Sequence, residues 1–195
     1  YAEVYNNLGV VFQSQGKCDE AIKAYGKAIL LKSDYAEAYN NKGALLQELG
    51  KFDEAMEALN KSILLKPDYA DACNNMGLTL QSKNKLTEAI ETFNKSISLK
   101  PDFAEAHQNL SLTLLNSGRL KEGLEQYEWR WKTPQFLTNE RIFMQPMWDG
   151  SQSLKDKRIL LWHEQGIGDT LNWSSCLSFL ASQAKHCILE CQDKL

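Results

Sequence analysis

Apolar and small residues follow helical spacing through residues 35–68. They are Tyr39, Gly43, Leu46, Ala55, Leu59 and Ser62. Gly50 and Pro67 supply the signals that commonly stand just beyond the last turn of a helix. The pattern therefore predicts two helices, over about 36–49 and 52–65, joined by a tight turn at Gly50.

The same pattern returns every 34 residues, and its clearest marker is an aromatic residue followed by alanine and an acid. Such tripeptides begin at Tyr1, Tyr35, Tyr69 and Phe103. Residues 35–68 and 69–102 are identical at 20 of 34 positions. We predict four helical hairpins, over 1–34, 35–68, 69–102 and 103–136. Because one hairpin cannot bury its apolar face alone, the four are expected to stack into an α-solenoid.

Small residues have a mechanical purpose in this pattern. Gly43 and Ala55 are expected to let the two helices of a hairpin approach closely, while Leu46 and Leu59 fill the space between them. The fourth unit drifts from the pattern, because Arg130 stands where a small residue belongs.

The repeat resembles the tetratricopeptide-repeat (TPR) family, whose signature places aromatic residues, Leu-Gly, alanines and a proline at fixed offsets. The first unit matches it at Tyr5, Leu8, Gly9, Phe12, Ala21, Tyr25 and Ala28, with Ser33 in place of the proline. The resemblance covers about 70% of the chain. It implies a right-handed superhelix of helix-turn-helix repeats whose first helices line the concave side. It also implies a scaffold that binds a protein or peptide in that groove.

Amide side chains recur on the first helix of every unit. One repeat position holds Asn7, Asn41, Asn75 and Asn109, and the position before it holds Asn6, Asn40, Asn74 and Gln108. One turn further on come Gln13, Gln47 and Gln81, and Leu115 breaks this glutamine series. Asparagine is a poor helix former, so helix propensity does not explain its recurrence. An amide offers both a donor and an acceptor, so a row of amides can clasp an extended peptide backbone.

The repeats of O-GlcNAc transferase carry asparagine at the same position and use it to grip protein substrates. That resemblance implies peptide binding by the asparagine row in this chain. The alternative is that the amides bond within the solenoid or solvate its inner face.

Acidic residues at the helix starts suit the positive end of the helix dipole, and a contribution to binding basic peptides stays open beside that role. They are Glu3, Glu37, Asp71 and Glu105.

The composition changes after the repeats. Tyr127, Trp129 and Trp131 are expected to cover the open end of the solenoid, and a ligand platform is the alternative. Residues 133–157 contain prolines, a glycine and polar residues, and they predict an irregular connector.

The final segment has a different period. Residues 158–162 predict a buried strand and 186–190 a second strand, and 170–184 predicts a helix between them. A glycine-bearing loop, 163–169, follows the first strand. This order predicts a short βαβ stub, the incomplete start of a Rossmann-like α/β domain over 158–195.

Residues 160–171 resemble the start of the glycosyltransferase domain in bacterial TPR-glycosyltransferase fusions, which is heptosyltransferase-like and has a GT-B fold. The resemblance implies that Asp169 is a general base for the acceptor hydroxyl, and a helix N-cap is the alternative role. Gly166 and Gly168 would let backbone amides approach a substrate. His163 would supply a further polar group in the cleft.

A GT-B enzyme needs two complete domains, and the second one holds the nucleotide-sugar donor. The chain stops at Leu195, so we do not expect it to transfer a sugar alone. The resemblance implies the substrate-recruiting arm of a larger glycosyltransferase. The alternatives are a free-standing TPR adaptor and a structural solenoid that self-associates through its exposed end repeats.

Charge and hydropathy limit the classes of partner that the chain is expected to bind. Lys and Arg number 22 against 25 Asp and Glu, giving a net charge of −3 without a basic stripe, so nucleic acid is not expected. No apolar run reaches the roughly 20 residues that span a bilayer.

Five scattered cysteines indicate reduced thiols and a cytoplasmic location. A metal site at His186, Cys187 and Cys191 lacks a second ligand cluster with zinc spacing, so neither a metal nor a cofactor is expected here. The chain begins inside a repeat at Tyr1, and the native N-terminus is expected upstream.

Overall fold

The computed structural model describes residues 1–132, 153–162 and 177–190. The chain divides into two compact units, residues 1–140 and 141–195. None of the helices in the described ranges is long and apolar enough to cross a membrane.

The first unit is built from helical hairpins. Its helices are α1 (Ala2–Ser14), α2 (Cys18–Leu31), α3 (Ala36–Glu48), α4 (Phe52–Leu65), α5 (Ala70–Ser82), α6 (Leu86–Leu99), α7 (Ala104–Asn116) and α8 (Leu120–Tyr127), followed by a short 3-10 helix at Glu128–Lys132. Each odd-numbered helix packs against the next helix, and consecutive hairpins pack against each other. The helices predicted over 36–49 and 52–65 are confirmed to within one residue.

The turn inside each hairpin requires a residue in the left-handed region. Gly16, Gly50 and Gly118 have φ values of 72°, 74° and 81°, and Asn84 has 57° at the corresponding place in the third hairpin. Glycine adopts this region without a steric penalty, and asparagine is among the side chains that tolerate it best. The residue after the turn closes it, as where the Lys51 amide donates to the Leu46 carbonyl at 2.9 Å. The turn predicted at Gly50 is thus confirmed.

The two helices of a hairpin touch where the sequence leaves out a side chain. A Cβ added to Gly77 would lie 2.5 Å from Cε1 of Phe93, and one added to Gly9 would lie 2.5 Å from Cε1 of Tyr25. In the second hairpin the corresponding neighbour of Gly43 is Leu59, at 2.7 Å. These distances leave no room for a methyl group, so glycine is required for the ring or leucine side chain to lie against the first helix.

The fourth hairpin reverses this arrangement. Ser111 takes the place of the glycine on α7, and Gly123 takes the place of the alanine on α8. The Ser111 hydroxyl donates to the Gly123 carbonyl at 2.8 Å, and a Cβ on Gly123 would lie 2.7 Å from Cδ2 of Leu115. Leu115 packs against α8 at this place, which explains why a leucine ends the glutamine series.

The apolar core is continuous across hairpins. One buried cluster joins residues of α4 through α7, namely Leu59, Met76, Leu80, Ala89, Ile90, Phe93, Leu110 and Leu114. Its members come from three successive repeats, which confirms that neighbouring hairpins share their buried surface. Within a hairpin, hydroxyls tie the second helix to the first, since Ser62 donates to the Ala36 carbonyl and Ser96 to the Ala70 carbonyl, each at 2.8 Å.

The end of the repeats departs from the regular pattern. In α8 the α-helical part has 8 residues, whereas α2, α4 and α6 have 14. Arg130 occupies the place of Ser62 and Ser96; it is buried and donates to the Tyr127 carbonyl at 3.1 Å. Trp129 stacks on His107 of α7 at 3.8 Å between ring centroids. The contact with His107 agrees with the covering role predicted for the aromatic residues.

The second unit contains strands β1 (Arg158–Trp162) and β2 (His186–Glu190), with helix α9 (Leu177–Gln183) between them in the chain. The strands pair in parallel, from Arg158 opposite His186 to Trp162 opposite Glu190. Both predicted strands are confirmed with their bounds, but the burial predicted for β1 is wrong at Leu160, which is 42% exposed. The described sheet has two strands, so a Rossmann-like domain remains a prediction. The loop with His163, Gly166, Gly168 and Asp169 lies outside the described residues.

Replacing Gly77 by alanine should destabilise the solenoid by about 1–3 kcal/mol, because the new methyl group would overlap the fully buried Phe93 ring. Gly26 of α2 is the matched control, since a Cβ there meets no atom within 4 Å. Gly26→Ala should raise the free energy of unfolding by about 0.5–1 kcal/mol through helix propensity. Urea unfolding followed by circular dichroism measures both. Equal stability of Gly77→Ala and the parent chain would show that the ring can move aside.

Candidate functional site

A groove crosses the first helices of the first three repeats. Its volume is about 540 Å³, and it is lined by Val10, Gln13, Ser14, Tyr25, Asn40, Asn41, Ala44, Glu48 and Asn75. All but one of these residues lie on α1, α3 and α5, and Tyr25 of α2 lies behind them. We call this cavity the amide groove. Its size is in the range of about 300–1,000 Å³ that is usual for ligand sites.

Asparagines of successive repeats are hydrogen-bonded to one another in a regular series, which we call the amide relay. Asn41 Nδ2 donates to Asn6 Oδ1 at 3.0 Å, Asn75 to Asn40 at 2.9 Å and Asn109 to Asn74 at 3.0 Å. Each bond joins residues 35 apart in the chain, so the donor stands one repeat and one residue beyond its acceptor. The relay explains why the second and third repeats each carry two consecutive asparagines, one as acceptor and one as donor.

The two asparagines of a pair differ in burial. Asn6, Asn40 and Asn74 are only 7%, 5% and 7% exposed, so their side-chain oxygens need a partner inside the protein. Asn41 and Asn75 are half-buried and line the amide groove. The relay uses one N–H of each donor amide. Within the described residues, the Oδ1 of Asn75 accepts no hydrogen bond, so this oxygen and the second N–H are available to a ligand.

The glutamine row is also held in place. The Tyr25 hydroxyl donates to Gln13 Oε1 at 2.9 Å, and Gln13 Nε2 donates to Glu48 Oε2 at 3.2 Å. Burial, and secondarily the negative charge of Glu48, raises the pKa of Tyr25, which keeps its hydroxyl protonated and able to donate. Further along, Gln81 Nε2 donates to Thr113 Oγ1 at 3.0 Å.

The acidic residues at the helix starts lie in the first turns of α1, α3, α5 and α7, as predicted. Glu37 pairs with Lys66 at 3.3 Å, and the Lys66 ammonium lies 4.6 Å from the centroid of the Tyr69 ring. Burial, followed by the charges of Asp71 and Glu37, raises the pKa of Tyr69 to about 12. Lysine also lies over an aromatic ring at the adjoining repeat junctions, Lys32 over Tyr35 and Lys100 over Phe103.

The structure brings together part of the predicted site. Asn40, Asn41 and Asn75 share the amide groove, whereas Asn7 is exposed outside its lining. Among the others, Asn6, Asn74 and Asn109 take part in the relay, and Gln108 is half-buried on α7. Asp169, Gly166 and Gly168 lie outside the described residues.

Sequence reasoning missed Glu48 as a residue of the groove. It is the one charged residue among those that line the cavity. A signal was present, because the other three repeats hold Ser14, Ser82 and Asn116 at this position. Recurrence identifies positions that hold the same residue in every repeat, and this position differs in one of them.

Comparison with known families agrees with this architecture. Residues 1–68 and residues 70–103 match two family models, each described as a tetratricopeptide repeat. Together they cover more than half of the 195 residues. The chain therefore belongs to the tetratricopeptide-repeat family. No curated protein sequence matches it.

Solved structures show the same fold. A crystal structure of MamA is 28% identical, and the match covers 71% of this chain and 81% of that chain with a TM-score of 0.62. The first TPR of Spaghetti (RPAP3), bound to the HSP90 peptide SRMEEVD, is 26% identical over 60% of this chain and 93% of that chain, with a TM-score of 0.58. MamA from Desulfovibrio magneticus RS-1, at 21% identity, covers 72% of this chain and 77% of that chain with a TM-score of 0.61 and shares the fold.

The relay can be measured with a double-mutant cycle on Asn74 and Asn109. Asn74→Ala should lower the free energy of unfolding by about 1–3 kcal/mol, because it removes a buried amide and leaves the Asn109 donor without its acceptor. The coupling energy between Asn74→Ala and Asn109→Ala should be about 0.5–1.5 kcal/mol. Asn7→Ala is the control and should change stability by less than about 0.5 kcal/mol, because this residue is exposed. Additive effects of the two substitutions would contradict the relay.

Proposed function

We propose that this chain is a protein-binding scaffold that holds an extended segment of its partner in the amide groove. The observation that carries this proposal is that the relay occupies only part of the hydrogen-bonding capacity of the asparagines that line the groove. Asn41 and Asn75 each use one N–H between repeats and still line the groove. The relay fixes their orientation before a ligand arrives, which lowers the conformational entropy lost on binding.

A peptide backbone is the ligand that such amides fit best. Its N–H and C=O groups alternate along the chain, and each asparagine offers both an acceptor and a donor. The likeness to the first TPR of RPAP3, which holds the peptide SRMEEVD, supports a short linear segment as the ligand class. That peptide contains two glutamates and an aspartate, whereas no lysine or arginine lines the amide groove. We therefore expect a ligand with different side chains here.

Two matched substitutions separate binding from folding. Asn75→Ala and Asn74→Ala each remove one inter-repeat hydrogen bond, but only Asn75 lines the groove. A peptide selected from a random displayed library should bind the Asn75→Ala variant about tenfold more weakly, which corresponds to one lost hydrogen bond. It should bind Asn74→Ala with nearly the parent affinity. Fluorescence anisotropy gives both dissociation constants, and circular dichroism checks that both variants are folded.

Failure to select any peptide would contradict the proposed function. Equal weakening by both substitutions would show that the asparagines act through the solenoid's stability, which is the alternative role that the sequence left open.

We further propose that the parent protein is a cytoplasmic glycosyltransferase and that these repeats are its substrate-recruiting arm. Support comes from the resemblance of residues 160–171 to such enzymes and from the strand, helix, strand order of the second unit, with β1 and β2 parallel. In this proposal Asp169 acts as general base beside Gly166 and Gly168. A second domain of the parent holds the nucleotide-sugar donor.

This second proposal depends on the gene beyond the codon for Leu195. A continuation that encodes a second Rossmann-like domain is expected, and a stop codon close to that point would leave a free-standing TPR adaptor. In the full-length protein, Asp169→Asn should lower the sugar-transfer rate by about 10²–10⁴-fold, which is the usual contribution of a general base. Peptide capture by the repeats should stay unchanged. Unaltered transfer would remove Asp169 from the mechanism.

A further inference from the structure

Glu48 gives the amide groove a charge that the repeat pattern does not require. It lies on the last turn of α3, where the corresponding residues of α1, α5 and α7 are Ser14, Ser82 and Asn116. A carboxylate near the C-terminal end of a helix is unfavourable for the helix dipole. Helix stability therefore does not account for an acid at this place, and a role in the groove does.

The Glu48 carboxylate is held by a chain of hydrogen bonds that begins in the core. Tyr25 is fully buried, and its hydroxyl donates to Gln13, whose amide in turn donates to Glu48 Oε2. The chain fixes one carboxylate oxygen against the wall of the groove. Glu48 forms no ion pair with any cation in the described parts of the chain, and no lysine or arginine lines the groove.

Apolar surface lies beside this carboxylate. Val10 and Ala44 line the same cavity, and they offer contact to an aliphatic chain. Lysine and arginine combine a long aliphatic stem with a charged end, and they commonly lay the stem along apolar surface while the head reaches a polar partner. The groove thus presents both features that such a side chain needs.

We propose that the amide groove selects a peptide segment with a lysine or arginine, whose charged end pairs with Glu48 while its backbone lies against the amide relay. This inference rests on the proposed function and specifies the partner's chemistry. Glu48 sets the preference for a basic side chain, and Gln13 positions its carboxylate. The asparagines contact the backbone and are indifferent to the side chains.

The test uses the whole chain and a library of short acetylated, amidated peptides in which one position at a time is fixed as Lys, Arg, Gln or Glu. Retained peptides should be enriched in Lys or Arg over Gln at one position by about tenfold, the effect of one charge-assisted hydrogen bond. Glu48→Gln should abolish this enrichment but still retain peptides, because the amide relay is intact. Glu54→Gln is the matched control, since Glu54 is exposed on α4 outside the groove lining, and it should leave the enrichment unchanged.

The outcomes distinguish failure of the proposed function from failure of this inference alone. Retention of no peptide by the parent chain would overturn both the proposed function and this inference. Retention without a basic preference, or a preference that survives Glu48→Gln, would overturn the inference alone. A preference that Glu54→Gln abolishes would also overturn it, because the effect would then follow the total charge of the chain.

Discussion

The contact between a glycine on the first helix of a hairpin and a large side chain on the second is the constraint on which the rest depends. Where Gly77 meets Phe93, the space for a Cβ is already filled, so the two helices lie at a separation fixed by one ring. Gly9 with Tyr25 and Gly43 with Leu59 repeat the arrangement. Because the hairpins then have nearly the same shape, their first helices stack with a constant offset. A residue on one helix therefore meets the same neighbour on the next at every junction.

The amide relay is the consequence of that constant offset. A buried asparagine oxygen without a partner would cost about 1–3 kcal/mol, and each junction supplies the partner from the following repeat. The same residues satisfy the buried amide oxygens and are the ones we propose to bind a ligand, because an amide has more hydrogen-bonding positions than the relay uses. Asn75 shows both, since it bonds to Asn40 and lines the groove. A single atom of such a side chain either bonds within the solenoid or faces a ligand, but one side chain can do both with different atoms.

Periodicity in the sequence predicted the two helices of the second repeat to within a residue, because the apolar spacing and the glycine turn are local properties. It also identified the asparagines as residues whose recurrence needs an explanation. The pairing of Asn75 with Asn40 could not be derived, since it depends on the offset between hairpins, which no local pattern encodes. Glu48 was missed for a different reason, because a search for recurrence overlooks the place where one repeat differs. Both strands of the second unit followed from short apolar runs, and Asp169 stays a prediction from resemblance.

Positions that differ from one repeat to the next would determine which ligands this solenoid selects. In the proposed function the asparagine rows would contact every peptide backbone alike, so they would provide affinity with little discrimination. Discrimination has to come from positions that occur once. Glu48 adds a charge to the groove, and its carboxylate is held by Gln13, which in turn accepts from Tyr25. Outside the groove lining, Leu115 replaces the glutamine of the row in the fourth repeat and packs against Gly123, so the glutamine row ends at Gln81. A ligand bound in the amide groove would therefore meet a lining carboxylate at a single place, which would fix its register as well as its composition.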